Sequence, residues 1–311
     1  MENEQKTDVL IAGAGPAGLA AAIWCHDLGI DFRIFEKAQR PGGQLAIIHN
    51  RIANYPGFIA DNGEVVLKKF LTHAESLQIE IEPSIGIASV DGISRIATLS
   101  TGDTVRFRFL VMATGVSRRR LGVPGESEFL GKGILLSGKK EALNAAGKRV
   151  VVVGGGDAAC ENALILAEHA DSVTLLVRSE RLRARGEFTE EIAKRENIVV
   201  NYATRVKEFG GDGILEWIQL DGKDNSGVRL QTDFAIVRIG VEPNSAVRGC
   251  EAKKDSAGYL EVDCHGRTSC DWLFAIGDVA NPVSPTISTA AGTASSAIKA
   301  ISLEIRDAFA S

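Results

Sequence analysis

Sulfur is scarce in this chain of 311 residues, and it is not arranged for chemistry. The five cysteines, Cys25, Cys160, Cys250, Cys264 and Cys270, are odd in number and include no Cys-x-x-Cys pair. That counts against a disulfide scaffold and favours a reducing, cytoplasmic setting. An excess of basic charge is missing too. The formal net charge is −5, so no nucleic-acid partner is expected. No apolar run approaches the roughly 20 residues of a membrane-spanning helix. The polar start, Met1 to Asp8, does not read as a signal peptide, so no membrane partner is expected. The five histidines, His26, His49, His73, His169 and His265, lack metal-ligand spacing, and no metal is expected. What remains is 45% hydrophobic and 24% charged, an ordinary composition, at a length that favours about two domains.

The informative stretch runs from Thr7 to Glu36. Val9, Leu10 and Ile11 read as a short buried strand. Gly13, Ala14, Gly15, Pro16, Ala17 and Gly18 then give Gly-x-Gly-x-x-Gly, Leu19 to Leu28 reads as a helix, and Asp31 to Glu36 as a second strand. Gly13 permits the tight turn, Gly15 lets the backbone approach a pyrophosphate, and Gly18 lets helix and strand pack closely. The helix N-terminus offers free N–H groups and a positive dipole end to phosphate. Glu36 stands 23 residues after Gly13, where a carboxylate takes both ribose hydroxyls. The ligand expected is a dinucleotide with an adenosine ribose.

The same pattern returns later in the chain. Arg149 to Gly154 is a valine-rich strand, followed by Gly154, Gly155, Gly156, Asp157, Ala158 and Ala159. A helix from Cys160 to Ala170 and a strand from Ser172 to Val177 complete the unit. Gly154, Gly156 and Ala159 occupy the places of Gly13, Gly15 and Gly18. At the spacing of Glu36 the repeat has Val177, and Arg178 follows it. Arg178 and Arg183 suit a 2′-phosphate, which an acid would repel, so NADPH is favoured over NADH. Arg181 and Arg185 are weaker candidates for the same role.

Between and after the two units the chain reads as follows. Arg40 to Leu45 is a loop too rich in glycine for a helix. Asp61 to Gly63 opens a helix from Glu64 to Leu77, and Ile79 to Ile81 is a strand. Ile85 to Val90, Ile93 to Leu99 and Thr104 to Arg108 read as a β-meander, with Phe109 to Ala113 a further strand. In the second half, Val199 to Phe209, Ile214 to Leu220 and Val228 to Gln231 form a second meander around the loop Asp221 to Gly227. Phe234 to Ile239 closes it, and Thr286 to Ile305 is the last helix.

Two glycine motifs, Ala113-Thr114-Gly115 and Phe274-Ala275-Ile276-Gly277-Asp278-Val279, together resemble those of two-dinucleotide-binding-domain flavoproteins. Pro41-Gly42-Gly43-Gln44-Leu45, Asn54-Tyr55-Pro56-Gly57 and the short length narrow the resemblance to low-molecular-weight thioredoxin reductases. The fold implied is α/β, with two Rossmann-like (three-layer ββα) dinucleotide-binding domains. The FAD domain is discontinuous, over 1–116 and 246–311, and an NADPH domain is inserted at 117–245. A homodimer is also implied. By the same resemblance Gly13, Gly15, Pro16, Ala17, Gly18, Glu36 and Lys37 hold the ADP half of FAD. Gly43, Gln44, Leu45 and Asn54 lie near the flavin, and Ala113, Thr114 and Gly115 also bind cofactor. Gly277 and Asp278 approach its ribityl or pyrophosphate region, and the amides near Thr286 and Ile287 point at the flavin. Gly154, Gly156, Asp157, Ala158, Arg178 and Arg183 hold NADPH.

One departure shapes the functional expectation. Thioredoxin reductases carry a Cys-x-x-Cys disulfide just before the second glycine motif, and the corresponding residues here are Ser137-Gly138-Lys139-Lys140. Thiol–disulfide exchange needs a thiolate and a resolving thiol, so neither Ser137 nor Lys140 replaces it. A second departure is Pro285-Thr286, where the family usually has Arg-Gln. Cys25 and Cys160 read as core residues, Cys264 and Cys270 as incidental. The expectation is an NADPH-dependent FAD oxidoreductase that passes electrons to an external acceptor, either ferredoxin, flavodoxin or a small molecule. Alternatives are a disulfide reductase using another cysteine or the flavin itself, and a non-enzymatic flavin-binding protein.

Overall fold

The computed structural model describes residues 5–222 and 226–310; positions 223–225, in the expected loop Asp221 to Gly227, lie outside it. The chain forms two compact units, one of 1–117 with 242–311 and one of 118–241. In the first, β1 (Gln5–Ala12) leads through the glycine turn into α1 (Pro16–Asp27) and β2 (Phe32–Glu36). The helix begins at Pro16 rather than Leu19, because proline at the first helical position gives up an N–H that has no intrahelical partner. A 3₁₀ turn, Gly43–Ile47, occupies the end of the segment expected to be loop. Gly43 enters it at φ 50°, in the left-handed region that glycine adopts without strain. Then come α2 (Gly63–Ser76), β3 (Ile81–Pro83), β4 (Ile87–Asp91), β5 (Ile96–Leu99) and β6 (Thr104–Met112). The Asn62 side chain accepts the Val65 N–H at 3.2 Å and caps α2.

These strands form one sheet in the order β3-β2-β1-β6-β5-β4. The pairings of β1 with β2 and β6 are parallel, while β5 pairs antiparallel with both β4 and β6. Strand β6 is continuous where the sequence suggested two strands. Its residues alternate between buried and part-exposed up to Arg108, and Phe109 to Met112 are all buried. The change of pattern marks the passage from a half-covered to a fully covered sheet, not a break.

β7 (Val116–Arg118) leads into the second unit, which contains β8 (Arg149–Val153), α3 (Asp157–Ala167), β9 (Ser172–Leu176), α4 (Gly186–Lys194) and β10 (Ile198–Asn201). It continues with β11 (Thr204–Gly210), β12 (Trp217–Gly222), β13 (Arg229–Gln231) and β14 (Phe234–Val237). Helix α4 was not legible in the arginine-rich sequence before it. The expected strand Val199 to Phe209 is two strands, because Ala203 has φ 48° and turns the chain out of one sheet into another. The order β10-β9-β8-β14 is parallel throughout, and β11-β12-β13 is an antiparallel meander. The chain returns through β15 (Val241–Pro243), adds β16 (Leu273–Ala275) beside β6, and ends in α5 (Ile287–Ala310).

In the first unit, Ala290, Ala294, Ala297, Ile298 and Ile301 of α5 share a core with Leu19, Ala21, Ala22 and Cys25 of α1 and Val9 and Ile11 of β1. Small residues fill nearly every side of α1, so sheet and helix can both close on it. In the second unit Val150, Val152, Ala159, Cys160, Ala163 and Leu175 do the same work. Among the described residues no helix is long and apolar enough to cross a membrane.

Candidate active site

At the first turn the three glycines differ in what they must avoid. A Cβ on Gly13, at φ 104°, would lie 2.5 Å from Ala113 O, and one on Gly18 only 1.8 Å from Gly13 O. Both are therefore glycine for reasons internal to the fold. Gly15 is different: a Cβ there would meet nothing nearer than Gly43 Cα, at 3.8 Å. Its bare backbone edges an open cradle at the start of α1, where no side chain caps the helix. Backbone N–H groups at such an end bind phosphate. The cradle therefore fits a pyrophosphate.

Glu36 closes one side of this cradle. Its Oε2 accepts the Ala14 N–H at 2.8 Å and its Oε1 the Ala38 N–H at 2.9 Å, which fixes the carboxylate at the turn. Lys37 is exposed, and its aliphatic stem runs beside Gly86. Gly42 N–H donates to Ala14 O at 2.9 Å and seats the following loop on the turn. Gly43 thus comes beside Gly15, Gln44 Nε2 donates to Val116 O at 2.8 Å, and Leu45 is buried. Asn54 is exposed in a loop closed by the Ile52–Ala60 bridge. His49 is half-buried just after the 3₁₀ turn.

Ala113 is buried at the end of β6, and Thr114 and Gly115 are tied down by a residue that the sequence did not single out. Thr114 Oγ1 donates to Asn244 O at 2.7 Å, Asn244 Nδ2 donates to Thr114 O at 2.9 Å, and Asn244 N–H donates to Gly115 O at 2.9 Å. Asn244 lies far along the chain, with only the short Pro-Asn-Ser turn as a local signal.

The return segment brings Gly277 to α1: its φ is 67°, and a Cβ would stand 2.8 Å from Ala17 Cβ. Asp278 follows, half-buried, and burial pushes its carboxyl up. Among the described residues none donates a hydrogen bond to that carboxylate. A partly desolvated acceptor without a donor fits a bound group that carries hydroxyls, such as the ribityl chain of a flavin. One expectation changes here. The Thr286 N–H was expected to point at the flavin, yet it donates to Ser284 O at 2.9 Å across the turn made by Pro285. Thr286 instead caps α5, its Oγ1 accepting the Thr289 N–H at 3.1 Å. Ile287 is the first residue of that helix.

The second turn repeats the logic of the first. A Cβ on Gly154 would lie 2.1 Å from Arg238 O, whereas one on Gly156 would meet nothing within 4 Å. Helix α3 also starts without a side-chain cap. The Asp157 carboxylate is engaged within the fold. Oδ1 accepts the Arg185 N–H and Oδ2 the Arg185 Nε, both at 2.8 Å, and this pairing holds the carboxyl below the usual range. Arg185 is thereby committed to the fold, and it also pairs with Glu187. Ala158 is exposed on α3, and its carbonyl accepts from Asn162 Nδ2 at 2.7 Å. The Arg183 N–H donates to Gly155 O at 2.7 Å and binds the arginine loop to the glycine turn. The guanidinium groups of Arg178 and Arg183 are exposed and have no carboxylate partner among the described residues. They fit a phosphate beyond the end of β9.

Ser137 to Lys140 form a closed turn. Glu141 Oε2 accepts the N–H groups of Leu136 and Ser137 at 2.9 and 2.8 Å, and Ser137 Oγ accepts the Lys140 N–H at 3.3 Å. Gly138 N–H donates to Asn162 Oδ1 of α3 at 3.2 Å, and a Cβ on Gly138 would sit 2.3 Å from that oxygen. Among the cysteines, Cys25, Cys160 and Cys250 are buried, and all five are free thiols. Burial raises the Cys25 thiol far above its ordinary value, and burial with Asp157 nearby pushes Cys160 up to about 11. Neither is a nucleophile at neutral pH. Cys264 is exposed, whereas Cys270 packs against the cluster that contains Cys250.

The profile of the pyridine nucleotide-disulphide oxidoreductases matches residues 7–299. The chain is 34% identical over 282 residues to a thioredoxin reductase from Treponema pallidum (strain Nichols), covering 89% of this chain and 90% of that one. It is also 34% identical over 298 residues to a glucosaminate ammonia-lyase from Pseudomonas fluorescens, 91% of each chain. Among solved structures, the thioredoxin reductase of T. acidophilum superposes with a TM-score of 0.81 at 28% identity, over 97% of this chain and 99% of that one. The chain belongs to the pyridine nucleotide-disulphide oxidoreductase family, as a thioredoxin reductase-like flavoprotein and an oxidoreductase whose cofactors are FAD and NADPH.

Proposed function

We propose that the protein passes electrons from NADPH to an external acceptor without a dithiol of its own. The observation that carries this reading is the Ser137–Lys140 turn. By its spacing to the second glycine motif this reading gives it the place of the family's two thiols, and Glu141 and Asn162 close it with hydrogen bonds. FAD, when bound, supplies a group that takes two electrons from a nicotinamide and hands them on. The chain's own residues bind and orient. In this reading the unit of 1–117 and 242–311 holds FAD, with Gly15 and the uncapped start of α1 at the pyrophosphate. Glu36 takes the ribose hydroxyls and Asp278 accepts from the ribityl hydroxyls. The unit of 118–241 holds NADPH, with Gly156 at its pyrophosphate and Arg178 and Arg183 on the 2′-phosphate. Homodimeric assembly and a cytoplasmic setting belong to the same proposal.

The acceptor is a small electron carrier such as ferredoxin or flavodoxin, or a small oxidant. Two relatives at the same 34% identity bear different activities in their names, thioredoxin reductase and glucosaminate ammonia-lyase. Family membership therefore does not select the reaction. The deciding experiment measures NADPH oxidation against ferredoxin, flavodoxin, quinones, oxygen, thioredoxin and low-molecular-weight disulfides. Turnover with a carrier protein or quinone, and none with thioredoxin, is expected. Efficient thioredoxin reduction contradicts the proposal.

A further inference from the structure

The second unit contains a pair of cations that the proposed nucleotide contacts do not use. Arg118 is the last residue of β7, and Arg238 follows the last residue of β14. Nη1 of Arg118 and Nη2 of Arg238 both donate to one acceptor, the Leu136 carbonyl oxygen, the latter at 2.9 Å. Arg238 Nη1 also donates to Val237 O at 2.8 Å. A guanidinium has five N–H donors. Among the described residues most of those on this pair therefore have no acceptor, and no carboxylate lies within ion-pair distance of either. Glu141, the nearest in sequence to the shared carbonyl, spends Oε2 on two backbone N–H groups. Both side chains are half-buried. Burial and then the charge of Arg118 lower Arg238 to about 10, against a weaker opposite pull from Glu141 and Glu161. Burial also lowers Arg118. Two like charges that meet at one neutral oxygen raise each other's energy, and an anion between them reverses the sign.

The fold says where such an anion would lie. In the sheet β10-β9-β8-β14 the chain order changes direction between β8 and β14, the crevice where open parallel sheets bind ligands. The Arg238 N–H donates to Val153 O at 2.7 Å, and its carbonyl blocks the Cβ position of Gly154. The backbone of Arg238 therefore lies directly behind the second glycine turn. Arg178 follows β9, on one side of that turn, and Arg238 follows β14, on the other. The segment that carries Leu136 runs beside β14, with Ile134 bridged to Ala235 and Leu135 N–H donating to Ala235 O at 2.7 Å. Leu136 thus also lies at the carboxyl edge of the sheet.

We propose that Arg118 and Arg238 form an oxyanion subsite on the β14 side of the second glycine turn, which takes a phosphate or a carboxylate. The subsite deepens the reading of this unit as a nucleotide site and rests on it. Its anion has two sources: the pyrophosphate on the nicotinamide side of NADPH, or an acid group on the electron acceptor.

Equilibrium titrations of the FAD-loaded protein and of Arg118→Met, Arg238→Met and Arg238→Lys separate these sources. The probes are NADP⁺ and adenosine 2′,5′-bisphosphate, which lacks the second pyrophosphate phosphorus. If the anion is the cofactor's, each Met variant loses about tenfold or more in NADP⁺ affinity and none for the bisphosphate, in the range of a charged hydrogen bond. Arg238→Lys then retains part of the affinity. If the anion is the acceptor's, both nucleotides bind unchanged, and KM rises about tenfold for a carboxylated quinone but not for its uncharged parent. Unchanged binding together with unchanged KM overturns the proposal. So does an equal loss for NADP⁺ and the bisphosphate, which marks general damage. Should wild-type protein bind neither nucleotide, the NADPH reading of the unit fails, and equilibrium binding of the two quinones to wild type and the Met variants, read by flavin fluorescence, decides the subsite: selective loss for the carboxylated quinone supports it and equal binding overturns it. Thermal melts of each variant check folding, and Arg118→Met carries the test if Arg238→Met does not fold.

Discussion

At the first glycine turn the side chain that ends β2 folds back: Glu36 accepts from Ala14 and Ala38 and places a carboxylate at the cradle. At the second turn the corresponding place holds buried Val177, and the next side chain, Arg178, stands exposed with no carboxylate partner among the described residues. The backbone is otherwise alike. In each turn the first glycine has positive φ and lies against a backbone carbonyl, and in each a Cβ on the middle glycine would clash with nothing. In the proposed reading this shared turn meets phosphate twice, and one side chain decides what else each site accepts. A carboxylate takes hydroxyl donors and repels a 2′-phosphate; a guanidinium does the reverse. The third position also differs. Gly18 leaves no room for a methyl group, whereas Ala159 carries one that is buried.

Substitutions can break this comparison at several points. The largest effect is expected at Gly18, where a Cβ collides with Gly13 O. Gly18→Ala should cost about 3 kcal/mol, as overpacking does, and abolish FAD retention, measured by urea unfolding and flavin content. Ala159→Gly in the other copy should cost about 1 kcal/mol at most. Equal effects in the two copies would mean that the turns are not packed differently. Next in size is Arg178→Ala, which should raise KM for NADPH by roughly tenfold to a hundredfold and leave NADH nearly unchanged. A parallel rise for both nucleotides would take Arg178 off the 2′-phosphate. Glu36→Gln keeps the shape but loses the charge, and FAD affinity in dialysis should fall by roughly tenfold.

The smallest effect concerns Asp278, whose carboxyl burial pushes up. The folded protein binds this proton more tightly than the unfolded chain does. Ionisation therefore destabilises the fold above the folded-state pKa, and the cost fades as pH falls through that value towards the ordinary Asp range. Asp278→Asn should raise the Tm of FAD-free protein by roughly 1–2 °C at neutral pH and lose that advantage in acid. The same variant should bind FAD more weakly. A gain in Tm at every pH would show that the carboxylate charge is not the cause.

The glycine turns, the parallel strands and the exposed arginines were legible because each is local: a few residues in sequence carry the whole geometry. Features that depend on distant residues were not. Asn244 locks Thr114 across 130 positions, and Arg238 reaches Leu136 across 102. Nothing near Arg238 in sequence hints at a partner in the turn beside α3. The union of two expected strands in β6 was hidden because its burial changes halfway along. Asp157 belonged to a readable motif, yet its carboxylate went to Arg185, a choice that only packing decides.

Electron transfer without a dithiol of the chain's own, as proposed, is read out by an anaerobic reductive titration. One equivalent of NADPH per FAD should bleach the flavin fully, with no further consumption when the acceptor is absent. Uptake of a second equivalent would reveal a redox-active thiol pair and contradict the account, as would a flavin that stays oxidised.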